Sequence, residues 1–354
     1  MRATIRSVAG EAGVSTATVS YVLSGRRGAK GQAGVSPATV QRVRDAADRL
    51  GYQPNSAARA IRTGRTNTVL LSLTMLSDPW SLEVIEAVQR LAAPLGITPM
   101  ILADADWAQV LRNHDADAVF IDAVPPESRD SLGRLAERGT RLVVFDETLA
   151  PEGFDVIRSV AGPGCVLAME HLLKKHRKVG CLTSGRSAAP GPPSRYLAYV
   201  QALAGAGLEL REDYVETFDV TPASAYAAAV RMLSGPERPT AIYATTDYAA
   251  MSAVNAAQRL GLAVGRDIDI IGVGNTGEGE RMTPSLSSVG PIDFFDRVAR
   301  LLLDRATGAE REAAVLDFPW QLFARESAPA QRQAQQQVQP LQQQVQSADL
   351  VRFR

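Results

Sequence analysis

From residue 68 onward the chain alternates short β-rich apolar runs with longer amphipathic stretches, and few folds satisfy that alternation. Runs at 69–73, 98–102, 118–122, 142–145, 178–182, 241–244 and 268–273 have the length and composition of buried strands. Between them, 82–93, 165–175, 195–206, 224–233 and 248–260 place apolar residues at helical spacing. Strands alternating with helices predict parallel sheets, because a crossover helix must connect parallel neighbours. About 260 residues is long for one such sheet, so two doubly wound lobes are expected. Ligands in this architecture sit beyond the carboxyl ends of the strands, and between the lobes where there are two.

Charge divides the chain differently. Lys+Arg and Asp+Glu balance at 38 each, yet residues 1–65 hold eleven bases against Glu11, Asp45 and Asp48. A head of net charge +8 therefore sits on a body of net charge −8, which suggests a polyanion-binding module joined to something else. Ile5, Val8, Ala9 and Ala12 recur at helical spacing, and Gly13-Val14-Ser15 breaks the pattern. Ser15 can cap a second helix with Val19, Val22 and Leu23 on one face, leaving Thr16, Ala17, Ser20 and Tyr21 pointing elsewhere. Ser36 and Pro37 open a third helix with Val40, Val43, Ala47 and Leu50 inside, and Gly51 ends it. Three such helices form a small helix-turn-helix unit, able to present one helix to a DNA major groove.

The segments 4–20 (Thr4-Ile5-Arg6-Ser7-Val8-Ala9 through Thr18-Val19-Ser20) and 50–66 (Leu50-Gly51-Tyr52-Gln53-Pro54-Asn55 through Thr66) closely resemble the LacI/GalR family of transcriptional regulators. The likeness runs on to Ser327. It implies an all-α helix-turn-helix domain at 1–54, a hinge helix and linker at 55–66, and a periplasmic-binding-protein-like α/β core at 67–328. Lobe 1 of that core would take about 67–161 and 290–318, and lobe 2 about 162–289 and 319–328. By the resemblance Thr16, Ala17 and Tyr21 occupy base-reading positions. Asn55, Ala58, Arg59, Ile61 and Arg62 belong to the hinge that enters the minor groove, with Ile61 where the family usually has a wedging leucine. Ten residues between Ser24 and Val35 exceed the family's usual four or so. Arg26, Arg27 and Lys30 in that insertion either clamp phosphates or decorate a tolerated surface loop.

In the core, Arg195 in the run from Ser194 to Leu203 resembles the family's effector-contacting arginine, and Thr246-Asp247 resembles a cleft Asn-Asp pair. Arg325-Glu326-Ser327 resembles the closing motif of the core. The departures are Ala161 for a frequent aspartate, Thr246 for the asparagine, and Gly274-Asn275 for a frequent Asp-Asp pair. Arg195 and Asp247 together suit a hydroxylated ligand, pairing guanidinium donors with carboxylate acceptors. Trp80 can stack on a sugar face or pack in the core, and Phe218 and Asn275 are further candidates for the effector site.

Other chemistries fare worse. Gly272-Val273-Gly274-Asn275-Thr276-Gly277 fits a dinucleotide-binding glycine pattern, but the stretch 278–281 leading to Pro284 reads as a loop rather than the required helix. His114, His171 and His176 make no spaced metal set with Cys165 or Cys181. Neither a metal nor a cofactor is expected, nor a convergent nucleophile or acid–base set. Two cysteines, no signal-like start and no long apolar run suggest a cytoplasmic protein. A solute-binding protein or an enzyme on the same two-lobed scaffold is the alternative, since fold does not fix function. A basic head has no use in an exported binding protein. The expectation is a homodimeric DNA-binding repressor, not an enzyme, that binds a roughly palindromic operator and responds to a sugar-like effector. The tail at 329–354, with ten glutamines and Pro340, is expected to be disordered.

Overall fold

The computed structural model describes residues 3–23, 35–53, 60–61, 63–158, 161–184, 194–219, 221–309 and 312–330. Arg26, Arg27, Lys30, Asn55, Ala58, Arg59, Arg62 and the glutamine-rich tail from 331 onward lie outside the described residues.

The head is three helices, α1 (Ile5–Ala12), α2 (Thr16–Leu23) and α3 (Pro37–Arg49). Each start has its own cap. The Thr4 hydroxyl accepts from Ser7 N–H, the Ser15 hydroxyl from Thr18 N–H at 3.1 Å, and the Ser36 hydroxyl from Thr39 N–H at 3.2 Å. Val8, Ala9, Ala12, Val19, Val22, Val43, Ala46 and Ala47 meet in one small core. Gly13, at φ 64°, allows the left-handed turn between α1 and α2, a conformation that a Cβ would oppose.

The body is two six-stranded sheets. The first runs β11-β5-β4-β3-β1-β2, built from β1 (Thr68–Leu73), β2 (Thr98–Ala103), β3 (Ala118–Ile121), β4 (Leu142–Phe145), β5 (Asp155–Arg158) and β11 (Val315–Asp317). The second runs β12-β10-β9-β8-β6-β7, from β6 (Val179–Ser184), β7 (Val215–Phe218), β8 (Ala241–Ala244), β9 (Asp269–Val273), β10 (Ser287–Pro291) and β12 (Trp320–Phe323). All neighbours pair in parallel except β10 with β12. Lobe 1 is covered by α4 (Pro79–Ala92), α5 (Trp107–Val110), α6 (Arg129–Glu137) and α12 (Phe294–Thr307). Lobe 2 is covered by α7 (Ala161–Leu173), α8 (Ser194–Gly205), α9 (Pro222–Ser234) and α10 (Asp247–Arg259). Alternation along β1 explains the layering: Val69, Leu71 and Leu73 face the α4/α12 side, and Leu70 the opposite core. The chain passes between lobes three times, between β5 and α7, between β10 and α12, and between β11 and β12.

The expected strands all formed. Five others, β5, β7, β10, β11 and β12, escaped the sequence reading because they are short and carry polar residues. The amphipathic α12 was also not anticipated. The expected loop at 278–281 is instead part of a one-turn helix, α11 (Gly277–Arg281). At Gly272 in β9 a Cβ would stand 2.3 Å from Asp247 Oδ1 and 3.0 Å from the Ala250 Cβ. Gly272→Ala should therefore destabilise the protein by roughly 1–3 kcal/mol. Urea unfolding measures this, and a parental midpoint would contradict the packing.

Candidate functional site

A cavity of about 200 Å³ opens between the lobes. Thr74, Met75, Asp78, Trp80, Ser81, Asp122 and Phe145 contribute from lobe 1. Arg195, Thr246, Val273, Gly274, Thr276 and Trp320 contribute from lobe 2, with Pro291 and Phe294 at a crossing. The location follows from topology. In the two sheets the strand order reverses between β1 and β3 and between β6 and β8, and the chain leaves a crevice beyond such a switch point. Thr74 and Asp122 stand just past the ends of β1 and β3, and Thr246 just past β8.

The lobe-1 wall is acidic and aromatic. Asp78 caps α4, with Oδ1 accepting from Trp80 N–H at 3.0 Å. Burial pushes its carboxyl up to about 6, opposed by that hydrogen bond, and the nearby Asp247 charge adds to the rise. Asp122 Oδ2 accepts from Thr74 N–H at 2.7 Å and from the Thr74 hydroxyl at 3.1 Å. Burial pushes this carboxyl further, to about 7. Trp80 stands where cavity and core meet. It lines the cavity, and it packs within 5.3–6.4 Å of the rings of Phe120, Phe145, Phe294 and Phe295.

On the lobe-2 wall, Arg195 Nη1 donates to the Thr245 carbonyl at 2.7 Å, and its guanidinium lies 5.9 Å from the Trp320 ring centre. Thr246 lines the cavity while its hydroxyl caps α10, accepting from Ala249 N–H at 3.1 Å. Asp247 is placed differently from the expectation. It is 1% exposed and stands behind the wall rather than on it. Its carboxylate accepts from the Ser288 hydroxyl at 2.5 Å, Thr276 N–H at 2.7 Å and the Thr276 hydroxyl at 3.0 Å. Burial raises its pKa, and these donors pull it back. Asp247 thus positions the Gly274–Thr276 turn that faces the ligand space. Two further candidates also fall outside the cavity lining. Phe218 is 2% exposed, packed against Tyr248 in the lobe-2 core. Asn275 Oδ1 accepts from Arg325 Nη2 at 2.7 Å, holding the turn from behind. The glycine pattern at 272–277 does open into a helix, contrary to the loop expectation. Its Gly277 N–H, however, donates to the Glu83 carboxylate of lobe 1.

Sequence reasoning missed Thr74, Asp122, Phe145, Thr276 and Trp320. A legible signal existed for Asp122, a charged residue ending the apolar run 118–121, where strand ends supply ligand contacts. In the head, Thr16 and Ala17 are exposed on α2, and Tyr21 is half-buried against the head's core. Ile61 is 87% exposed. Among the described residues no helix is long and apolar enough to cross a membrane.

The comparisons with known proteins agree with the two-lobed fold and its helix-turn-helix head. Residues 4–55 match the model of bacterial regulatory proteins of the lacI family, and residues 169–328 match a periplasmic binding protein-like domain. The HTH-type transcriptional repressor PurR of Pectobacterium atrosepticum is 32% identical over 340 residues, covering 92% of this chain and 96% of that protein. Among solved structures, the transcriptional regulator CelR–cellobiose complex is 26% identical with a TM-score of 0.59, covering 92% of this chain and all of that one. The lac repressor dimer bound to operator and the anti-inducer ONPF shares the fold, with a TM-score of 0.68 at 20% identity over 93% of this chain and all of that one.

The raised carboxyl of Asp122 makes a pH prediction. Between its ordinary value of 3.8 and about 7 the folded chain holds a proton that the unfolded chain has lost. Stability from this group therefore falls as pH rises through that window. Asp122→Asn keeps an acceptor for Thr74 and removes the ionisation. It should gain on the order of 1–2 kcal/mol more over the parent at pH 8 than at pH 5. Urea unfolding at both pH values decides it, and an equal gain at each would acquit the carboxylate.

Proposed function

The chain belongs to the lacI family of bacterial regulatory proteins, and we propose that it is a cytoplasmic, homodimeric repressor whose hold on a roughly palindromic operator is set by a sugar-like effector in the inter-lobe cleft. What carries this reading is the union, in one chain, of a basic helix-turn-helix head and a cavity at the switch points of two sheets. Thr16, Ala17 and Tyr21 read base edges in the major groove, while Arg26 and Arg27 add phosphate contacts. Asn55, Ala58, Arg59, Ile61 and Arg62 form the minor-groove hinge, where an exposed apolar Ile61 wedges a base step. Arg195, Thr246 and Trp80 contact the effector from opposite walls. Asp247, Asn275 and Phe218 shape the wall from behind.

A dimer suits both ends of the molecule. Paired heads match two half-sites. The edge strand β2 leaves Met100 and Ile101 54% and 46% exposed, with Leu82 of α4 also exposed. An unpaired edge strand bearing large apolar side chains needs a cover, and a second copy provides one.

Effector binding acts on DNA through lobe 1. The linker is tied to that lobe where Thr66 and Asn67 N–H donate to the two oxygens of Asp117 at 2.7 and 2.8 Å, and Arg65 Nη2 donates to the Ala306 carbonyl at 2.6 Å. A ligand that favours one lobe arrangement shifts the spacing of two hinges by its differential affinity for the two arrangements.

Deleting residues 1–65 should abolish the operator gel shift while leaving a folded body that still binds effector. Normal operator affinity in the truncated protein would move DNA binding elsewhere. Arg195→Ala should weaken the effector by about tenfold or more, the cost of about 1–3 kcal/mol for a buried polar group left unpaired. Calorimetry against a panel of sugars reads this. Unchanged affinity would remove Arg195 from the site.

A further inference from the structure

When ionised, the cleft carboxylates carry more negative charge than the cleft guanidinium balances, and both are only half used. Asp78 gives Oδ1 to Trp80 N–H, and Asp122 gives Oδ2 to Thr74. Asp78 Oδ2 and Asp122 Oδ1 accept no hydrogen bond from any described residue. Behind them, Asp247 lies close enough to Asp78, and Asp104 to Asp122, for like charges to repel. Arg195 offsets only part of this excess: its charge acts on Asp78 more weakly than that of Asp247, no ion pair joins it to either carboxylate, and one of its N–H groups is spent on the Thr245 carbonyl. Four aromatic residues, Trp80, Phe145, Phe294 and Trp320, share the cavity wall, and the negative faces of such rings also favour a cation.

Resting on the reading of the cleft as the effector site, we infer that the effector is a cationic hydroxylated ring, an amino sugar, whose ammonium is held between Asp78 and Asp122. An ammonium has three donors and no acceptor, which matches two carboxylate oxygens lacking donors. Its hydroxyls and ring oxygen accept from Arg195, and one ring face lies on the aromatic wall. A neutral sugar supplies hydrogen bonds but leaves the charge excess standing. A phosphorylated sugar adds like charge beside two desolvated carboxylates and is excluded.

The test is calorimetry of the full-length protein with glucosamine, galactosamine and mannosamine, their neutral parents, and glucosamine 6-phosphate. At least one amino sugar should bind tenfold or more tightly than its parent, and the phosphate should not compete. Asp78→Asn and Asp122→Asn each keep an acceptor for the local backbone amide, and each should bring the amine-to-parent ratio close to one. Binding at pH 6.5 should also release protons, seen as heats that vary with the ionisation enthalpy of the buffer. Parents binding as tightly as amines, tight binding of the phosphate, or no amino sugar binding at all overturns the inference. If a neutral sugar binds and Arg195→Ala abolishes that binding, the cleft remains the effector site and the amine alone is refuted.

Discussion

The buried carboxylate of Asp247 is the knot on which the lobe-2 half of the cleft depends. A charge removed from water is tolerated only when donors replace the lost hydration. Here the donors come from two separate places, the Thr276 turn after β9 and Ser288 of β10. Asp247 is the first residue of α10, so one side chain ties a helix start, a turn and a strand together. Gly272 has no Cβ because Asp247 Oδ1 occupies that space, and Gly274, at φ 141°, turns the backbone in a way few L side chains allow. The cleft-facing Val273, Gly274 and Thr276 therefore owe their positions to a residue that does not line the cleft.

Lobe 1 meets this wall at contacts flanking the cavity. The Glu83 carboxylate takes the N–H of Gly277 at the start of α11, while the Ser194 hydroxyl donates to Glu147 Oε1 at 3.3 Å. Met75 packs into the lobe-2 core. Among the described residues these contacts are largely polar, unlike the continuous apolar packing inside each lobe. The lobes are thus rigid bodies with a thin seam, the condition under which a ligand filling the cavity between them can alter their relation.

Much of this was legible in the sequence because it depends on periodicity. The helices of the head and the inner strands announce themselves through apolar spacing and through caps such as Ser15 and Ser36. The edge strands β7, β11 and β12 do not, since a half-exposed strand of three or four residues carries too short a pattern. The site was harder for a different reason. Arg195, Thr246 and Trp80 were found by resemblance or residue type, yet whether a carboxylate faces a cavity or a hydrogen-bond network depends on neighbours distant in sequence. Asp247 and Asp122 illustrate the two outcomes. Asp247 pairs with Thr276 and Ser288, 29 and 41 residues away. Asp122 leaves one oxygen toward no described donor, and nothing in its local sequence separates it from Asp247.

The architecture also supplies a physical link between cavity and linker, carried by α12. Phe294 at its first turn lines the cavity, and Ala306 near its end gives its carbonyl to Arg65 of the linker. At 1.5 Å per residue those positions lie about 18 Å apart along the axis. Between them Val298, Ala299, Leu301, Leu302, Leu303 and Ala306 are buried in the lobe-1 core, so the helix cannot flex independently of the sheet. Arg305, one residue before the linker contact, is clamped by two bonds to Asp155 at 2.6 and 2.8 Å, a buried ion pair that also fixes the helix end against β5. A shift of Phe294 imposed from the cavity therefore moves the helix and its lobe as one body, and the Thr66–Asn67 bonds to Asp117 carry the linker with them. In the mechanism we propose, a short hinge responds to where lobe 1 places its root, so that a cavity distant from the DNA-reading helix controls it without touching it.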